Sequence, residues 1–132
     1  MDEQSGIYGQ IGEDGVTPVP GLLFYRFEAA IVFFNADHFK ERVRTVLRQA
    51  DPKPRWFLFS AESTPVLDIT GGETLEELRA ELEEQGIVFA IAKPRGRFEA
   101  MLKRTGVADK IGPQRIFPTI RAGVAAFRAR SG

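Results

Sequence analysis

Side-chain catalysis needs groups that move protons, attack electrophiles or hold metals, and this sequence offers few of them. It contains no cysteine, which removes thiolate nucleophiles, disulfides and Cys-based zinc sites. Its one histidine, His38, leaves no room for most triads and histidine-rich metal sites. Of the serines, Ser5 and Ser131 lie in the tails, and nothing in the spacing brings Ser60 or Ser63 to His38 as a base. Carboxylates are plentiful. By spacing alone, Asp68 could pair with Glu73 or with Glu62 for general acid–base work. That chemistry requires one of the two to be desolvated in a cleft with its pKa moved toward neutrality, and a carboxylate at a helix start is more often a cap. His38, three residues after Asn35, reads as a surface or capping group.

The most informative stretch is Leu67-Asp68-Ile69-Thr70-Gly71-Gly72-Glu73. It follows a strand-like segment, opens a helix-like one and holds two adjacent glycines. Thr70 and Glu73 have the spacing of a capping box, in which the hydroxyl and the carboxylate satisfy each other's backbone N–H groups. On that reading Thr70→Ala costs about 1 kcal/mol. Backbone donors at a helix start can also hold an anion, although Asp68 and Glu73 already bring negative charge there. The stretch has neither the spacing nor the lysine of a phosphate-binding loop. Two readings stand side by side: a structural cap, and a partner- or anion-binding loop made of Asp68, Ile69, Thr70, Gly71 and Gly72.

The elements that must position this loop follow from periodicity. The first eighteen residues are Gly-, Pro- and polar-rich and read as a linker, with at most a short edge strand around Ile7-Tyr8. Leu22–Phe27 and Ile31–Phe34 are aromatic and β-branched runs that predict an antiparallel hairpin. Asn35 stands where an N-cap belongs, before a helix with Phe39, Val43, Val46 and Leu47 on one face. The prolines after Asp51 end it. Trp56–Phe59 is a continuous apolar run of the kind buried inside a sheet. A helix from near Thr70 carries Leu75, Leu78 and Leu82, with Gly86 at its C′ position. Ile87–Ala92 is strand, Phe98, Met101 and Leu102 mark a helix ending at Gly106, Ile116-Phe117 is a last strand, and Thr119 caps a final helix. The order β-β-α-β-α-β-α-β-α predicts an α/β domain with a mostly parallel sheet, an N-terminal antiparallel hairpin and four helices.

Net charge is zero but unevenly spread: residues 1–92 hold 8 basic and 16 acidic side chains, residues 93–132 hold 10 and 2. Such a chain can offer a basic face to phosphate-rich partners or an anionic leaflet, unless folding lets the two parts compensate. Nucleic-acid binding is not expected, because the cations are not interleaved with exposed aromatics. The phenylalanines, 11 in number, fall where strands and stripes need core. The most apolar stretch, Gly21 to Ala36, is broken by Arg26 and Glu28; it is too short and too charged to span a bilayer. The acidic Met1-Asp2-Glu3 start does not resemble a signal peptide.

With its residues placed, the chain resembles the STAS domain, the fold of bacterial anti-sigma factor antagonists and of the C-terminal part of SulP anion transporters. The resemblance runs from about Val19 to Ala129, with residues 19–130 as the domain and 1–18 as linker. Val19-Pro20-Gly21-Leu22, Tyr25-Arg26-Phe27, Phe33-Phe34-Asn35-Ala36, Leu67-Asp68-Ile69-Thr70-Gly71, Leu75-Glu76-Glu77-Leu78 and Asp109-Lys110-Ile111-Gly112 look like the transporter branch. In the antagonists the residue after the loop Asp is a serine phosphorylated by a partner kinase; here it is Ile69, which has no hydroxyl. The resemblance therefore implies a non-catalytic, cofactor-free accessory domain on the cytoplasmic side of a sulfate or bicarbonate carrier. Its implied partners are the transmembrane domain of the parent transporter, cytosolic regulatory proteins or a second copy, with no nucleic acid and no nucleotide. The same fold on its own would be a free-standing signalling module.

Overall fold

A computed structural model describes residues 3–6 and 19–131, with side chains for 19–130. Among these residues the chain forms strands β1 (Glu3–Gly6), β2 (Leu22–Phe27), β3 (Trp56–Ser60), β4 (Val88–Ala92) and β5 (Ile116–Phe117). The helices are α1 (Ala36–Gln49), α2 (Ile69–Glu84), α3 (Gly96–Arg104), α4 (Val107–Ile111) and α5 (Ile120–Ser131), with a 3-10 turn at Pro113–Arg115. The sheet order is β1-β2-β3-β4-β5; β2 to β5 run parallel, and β1 is antiparallel to β2.

The expected α/β architecture is present, with two local differences. The strand antiparallel to Leu22–Phe27 is Glu3–Gly6 and not Ile31–Phe34. Ile31 makes only a single parallel bridge to Leu67, and the segment after it turns directly into α1. Glu28-Ala29-Ala30 lacks the residues that a tight hairpin turn requires, so no reversal forms there. The expected strand at Ile7-Tyr8 and most of the proposed linker lie outside the described residues. The second difference is a fifth helix. Gly106, at φ 84°, takes the left-handed conformation open to glycine; α3 ends before it as expected, and the short α4 follows where no helix was expected.

Two-sided burial explains why β3 reads as an unbroken apolar run: all five of its residues are buried. Tyr25, Phe57, Phe59, Phe89 and Ile91 face the layer formed by α1 to α4. Phe24, Trp56, Leu58 and Ala90 face the opposite layer, where Val124 and Phe127 of α5 cover them. The alternation is the period of two expected in any strand. Phe57 and Phe89 are register partners with stacked rings 5.7 Å apart, an offset arrangement that adds to simple burial. Gly123 lets α5 lie close to the sheet, since a Cβ there would meet Leu58 Cδ1 at 3.1 Å. Thr119 caps α5 as expected, its Oγ1 accepting the Ala122 N–H at 2.9 Å.

Outside the first layer, α1 and α2 are joined by charge. Lys40 Nζ donates to Glu77 at 2.8 Å, and Arg44 Nε to Glu81 at 3.1 Å. Within α2, Arg79 bridges Glu76 and Glu83. The Arg44 hydrogen bond holds the Glu81 carboxyl below its usual range, and Arg79 does the same for Glu76. A depressed carboxylate stabilises the fold fully above its unfolded value, near 4.5, and that contribution fades as pH falls through the folded-state value. Both groups are partly exposed, so the effect is small. Glu81→Gln should therefore lower stability by about 0.5 kcal/mol at neutral pH. In denaturant melts from pH 7 to pH 3, that gap should narrow as pH falls through Glu81's depressed folded-state value.

Candidate functional site

The stretch from Asp68 to Gly72 lies where the carboxyl ends of β2 and β3 deliver their loops, the usual position of sites in open α/β sheets. Asp68 is the N-cap of α2: its Oδ1 accepts the Gly71 N–H at 2.7 Å. Its other oxygen, Oδ2, accepts the Phe33 N–H at 2.9 Å. One carboxylate thus closes the helix start and fastens the preceding loop to it. The backbones are also stitched together, with the Ile31 N–H donating to the Val66 carbonyl at 3.0 Å and the Asp68 N–H to the Ile31 carbonyl at 3.3 Å.

This arrangement corrects the capping box. Thr70 lies inside the first turn of α2, one residue past Ile69, and is not the cap; Glu73 is exposed one turn further on. Asp is at least as good an N-cap as Thr, and only a carboxylate has two oxygens to serve two segments at once. Asn35 is corrected likewise. It occupies the N-cap position of α1 but makes no side-chain cap bond. Instead its Oδ1 accepts the Val32 N–H at 2.9 Å and its Nδ2 donates to the Ala30 carbonyl at 2.8 Å.

Gly71 and Gly72 are both buried. A Cβ at Gly71 would stand 2.1 Å from the Ile31 carbonyl oxygen, so the backbone that approaches this glycine is the chain's own. At Gly72 a Cβ would meet Thr105 Oγ1 at 3.3 Å, a tight but yielding contact.

What this frame displays is apolar. Among the described residues the exposed large hydrophobics are Phe33 (72%), Phe34 (77%) and Ile69 (64%). Phe33 and Phe34 pack edge to face, their ring centroids 5.5 Å apart, and Ile69 follows the Asp68 that binds the Phe33 backbone. Ile69 also borders a groove of about 730 Å³, whose lining includes Met101, Val107, Glu73, Arg104 and Lys110. The sequence reading placed both phenylalanines in a core strand. The signal against it was position: they immediately precede Asn35 and a helix, leaving no residues for a strand to turn.

Acid–base chemistry gains nothing from this geometry. Both Asp68 oxygens accept backbone N–H groups, and Glu62 pairs with Lys93 at 3.1 Å. His38 is exposed in the first turn of α1. No group of three or more metal-ligating side chains occurs among the described residues, and no helix among them is long and apolar enough to cross a membrane.

A family model described as the STAS domain matches residues 16–123. A probable sulfate transporter of Mycobacterium tuberculosis is 41% identical over 112 residues, covering 85% of this chain and 20% of that protein. The chain thus spans about a fifth of the length of that relative. A sulfate transporter family protein from Wolinella succinogenes has a crystal structure that superposes with a TM-score of 0.74 at 26% identity, covering 87% of this chain and 90% of that one. A putative anti-sigma factor antagonist from Thermotoga maritima shares the fold, with a TM-score of 0.70 at 20% identity over 83% of this chain and 90% of that one.

The site geometry sets an order of sensitivity. Asp68→Ala should cost about 2 kcal/mol, as a cap and a second charge-assisted bond are lost together. Thr70→Ala should change stability by less than about 0.5 kcal/mol. Gly71→Ala should cost about 2–3 kcal/mol through overpacking against Ile31. Gly72→Ala should stay within about 1 kcal/mol, its helix-propensity gain offsetting the contact with Thr105. Chemical denaturation of the four variants checks the order, and a costly Thr70→Ala beside a neutral Asp68→Ala would refute the assignment of the cap.

Proposed function

The chain belongs to the STAS domain family, and from that premise we propose that it is the cytoplasmic domain of a SulP-type secondary anion carrier, with sulfate or bicarbonate as cargo. It acts by contact and not by catalysis: it supports assembly of the membrane part and regulates it. Residues 19–130 form the domain, and the segment before them leads in from the transporter. The 41% identity to a probable sulfate transporter over 85% of this chain is the observation that carries this reading. The position after Asp68 supports it, because an exposed Ile69 stands where a kinase-regulated antagonist would carry a phosphorylated hydroxyl.

The contact surface of this module is the apolar corner formed by Phe33, Phe34, Ile69 and Thr70, with Asp68, Gly71 and Gly72 as its frame. Aromatic side chains held out to solvent by a hydrogen-bonded loop lose little conformational freedom on binding, and such rigid anchors dominate interface energetics. The loop that presents them is fixed at both ends, by Asn35 and by Asp68. The membrane domain of the parent transporter is the partner that this surface fits, and cytosolic regulators or a second copy would compete for the same anchors.

Two observations test the two parts separately. The reading frame upstream of Met1 should encode a series of hydrophobic spans; a frame lacking them makes the chain a free-standing module and ends the transporter reading. In the parent protein, Phe33→Ser with Phe34→Ser should leave the domain's melting temperature within about 2 °C, since neither ring is buried. The same pair should reduce anion uptake at least several-fold. Unchanged uptake by the double variant would discard the corner as the contact surface while leaving the family role intact.

A further inference from the structure

Folding cancels only part of the basic charge of the last third: Lys93 pairs with Glu62, but the final helix takes no part in such pairing. The acids of α2 are met by Lys40 and Arg44 from α1 and by Arg79 from α2 itself. The last helix has no such neighbours. From Lys110 to Gly132 the sequence contains no Asp or Glu. Arg121, Arg128 and Arg130 are exposed, and among the described residues none has an ion-pair partner.

Their placement follows from the layering. Helix α5 covers its side of the sheet with Val124 and Phe127 buried and Ile120 half-buried. The complementary stripe, Arg121, Ala125 and Arg128, is spaced i, i+4, i+7 and is exposed, as helical periodicity requires. Another cation approaches α5 from a different part of the chain. The exposed Arg55 lays its guanidinium over the Phe127 ring, 5.4 Å from the centroid. Arg121 and Arg128 thus share one outward face, Arg130 is exposed on the other flank of the helix, and Arg55 is held beside Phe127 by a cation–π contact.

We propose that this face docks on anionic phospholipid headgroups. Guanidinium groups bind phosphate in paired hydrogen bonds and are weakly hydrated for their charge. Arg121 and Arg128 are seven residues apart, about 10 Å along a helix. One small anion cannot bridge that distance, so the face suits an extended anionic surface. The apolar stripe of α5 is spent on the sheet, so attachment is electrostatic and superficial, without insertion of side chains among the acyl chains. A single-stranded nucleic acid would be expected to find aromatic rings to stack on. Here the nearby rings, Trp56 and Phe127, are buried at 5% and 2% exposure. The face also lies on the opposite side of the sheet from α2, apart from the Phe33–Ile69 corner, so the two proposals stand or fall independently.

The 132-residue chain can be tested directly, by flotation with vesicles of phosphatidylcholine alone and of phosphatidylcholine mixed with phosphatidylserine. The chain should bind the mixed vesicles and not the neutral ones. Arg121→Gln and Arg128→Gln should each weaken binding roughly fivefold. Binding should vanish near 1 M salt, where the Debye length is about 3 Å. Arg95→Gln with Arg97→Gln, on the far side of the sheet, should leave binding unchanged, and melting curves confirm that every variant is folded. Equal binding to both vesicles, no binding to the mixed ones at low salt, or loss only with the Arg95 and Arg97 changes would each overturn the proposal. So would tighter retention of a short DNA or RNA duplex than of the mixed vesicles.

Discussion

With 2.1 Å between the Ile31 carbonyl oxygen and the place a Gly71 Cβ would occupy, α2 can enter the fold in this position only because that residue has no side chain. The close approach lets the Asp68 N–H reach the Ile31 carbonyl and sets the Asp68 carboxylate between two segments, each contributing one N–H. Once those bonds form, the chain between Ile31 and Ala36 has no freedom to continue β2 into a hairpin. It must turn, and Phe33 and Phe34 are left outside. The character of the whole corner therefore derives from a backbone contact, with the side chains following.

That origin explains what was legible in the sequence and what was not. The sheet and helices were readable because they rest on periodic burial: the β3 run Trp56–Phe59, the leucines of α2 at Leu75, Leu78 and Leu82, and the stripe of α1 all report a local pattern. That the Asp68–Gly72 stretch opens a helix was readable too, since paired glycines at a helix start are unusual enough to need a reason. The identity of the cap was not. Asp68 outcompetes Thr70 because its second oxygen bonds to Phe33, 35 residues away in sequence, and no local pattern records that distance. Phe33 and Phe34 were misassigned for a related reason. Side-chain type says that a phenylalanine gains from burial, but a tertiary hydrogen bond decided where the backbone carrying it would turn.

The charge distribution shows the same division between local and distant information. The imbalance between the two parts of the chain is plain in the sequence, while its fate depends on which helices become neighbours. Helices α1 and α2 lie side by side and exchange ion pairs, so the acid-rich helix is largely neutralised by its own layer. Helix α5 is isolated from them by the sheet, and a five-stranded sheet with buried aromatic residues on both faces keeps the arginines of α5 too far from the acids of α2 to compensate them.

The proposed contact corner also separates two kinds of constraint that many recognition sites mix. Asp68, Gly71 and Asn35 hold the frame and contribute no apolar contact area to a visitor. Phe33, Phe34 and Ile69 supply that area and hold nothing, since their side chains are largely outside the core. Substitutions at such exposed positions rarely cost much stability. A lineage carrying this domain could therefore exchange one partner for another by changing three side chains, with no intermediate that fails to fold. Drift in the frame residues would be purged whatever the partner. Descendants of one ancestral domain would then keep the same scaffold while diverging in what they hold.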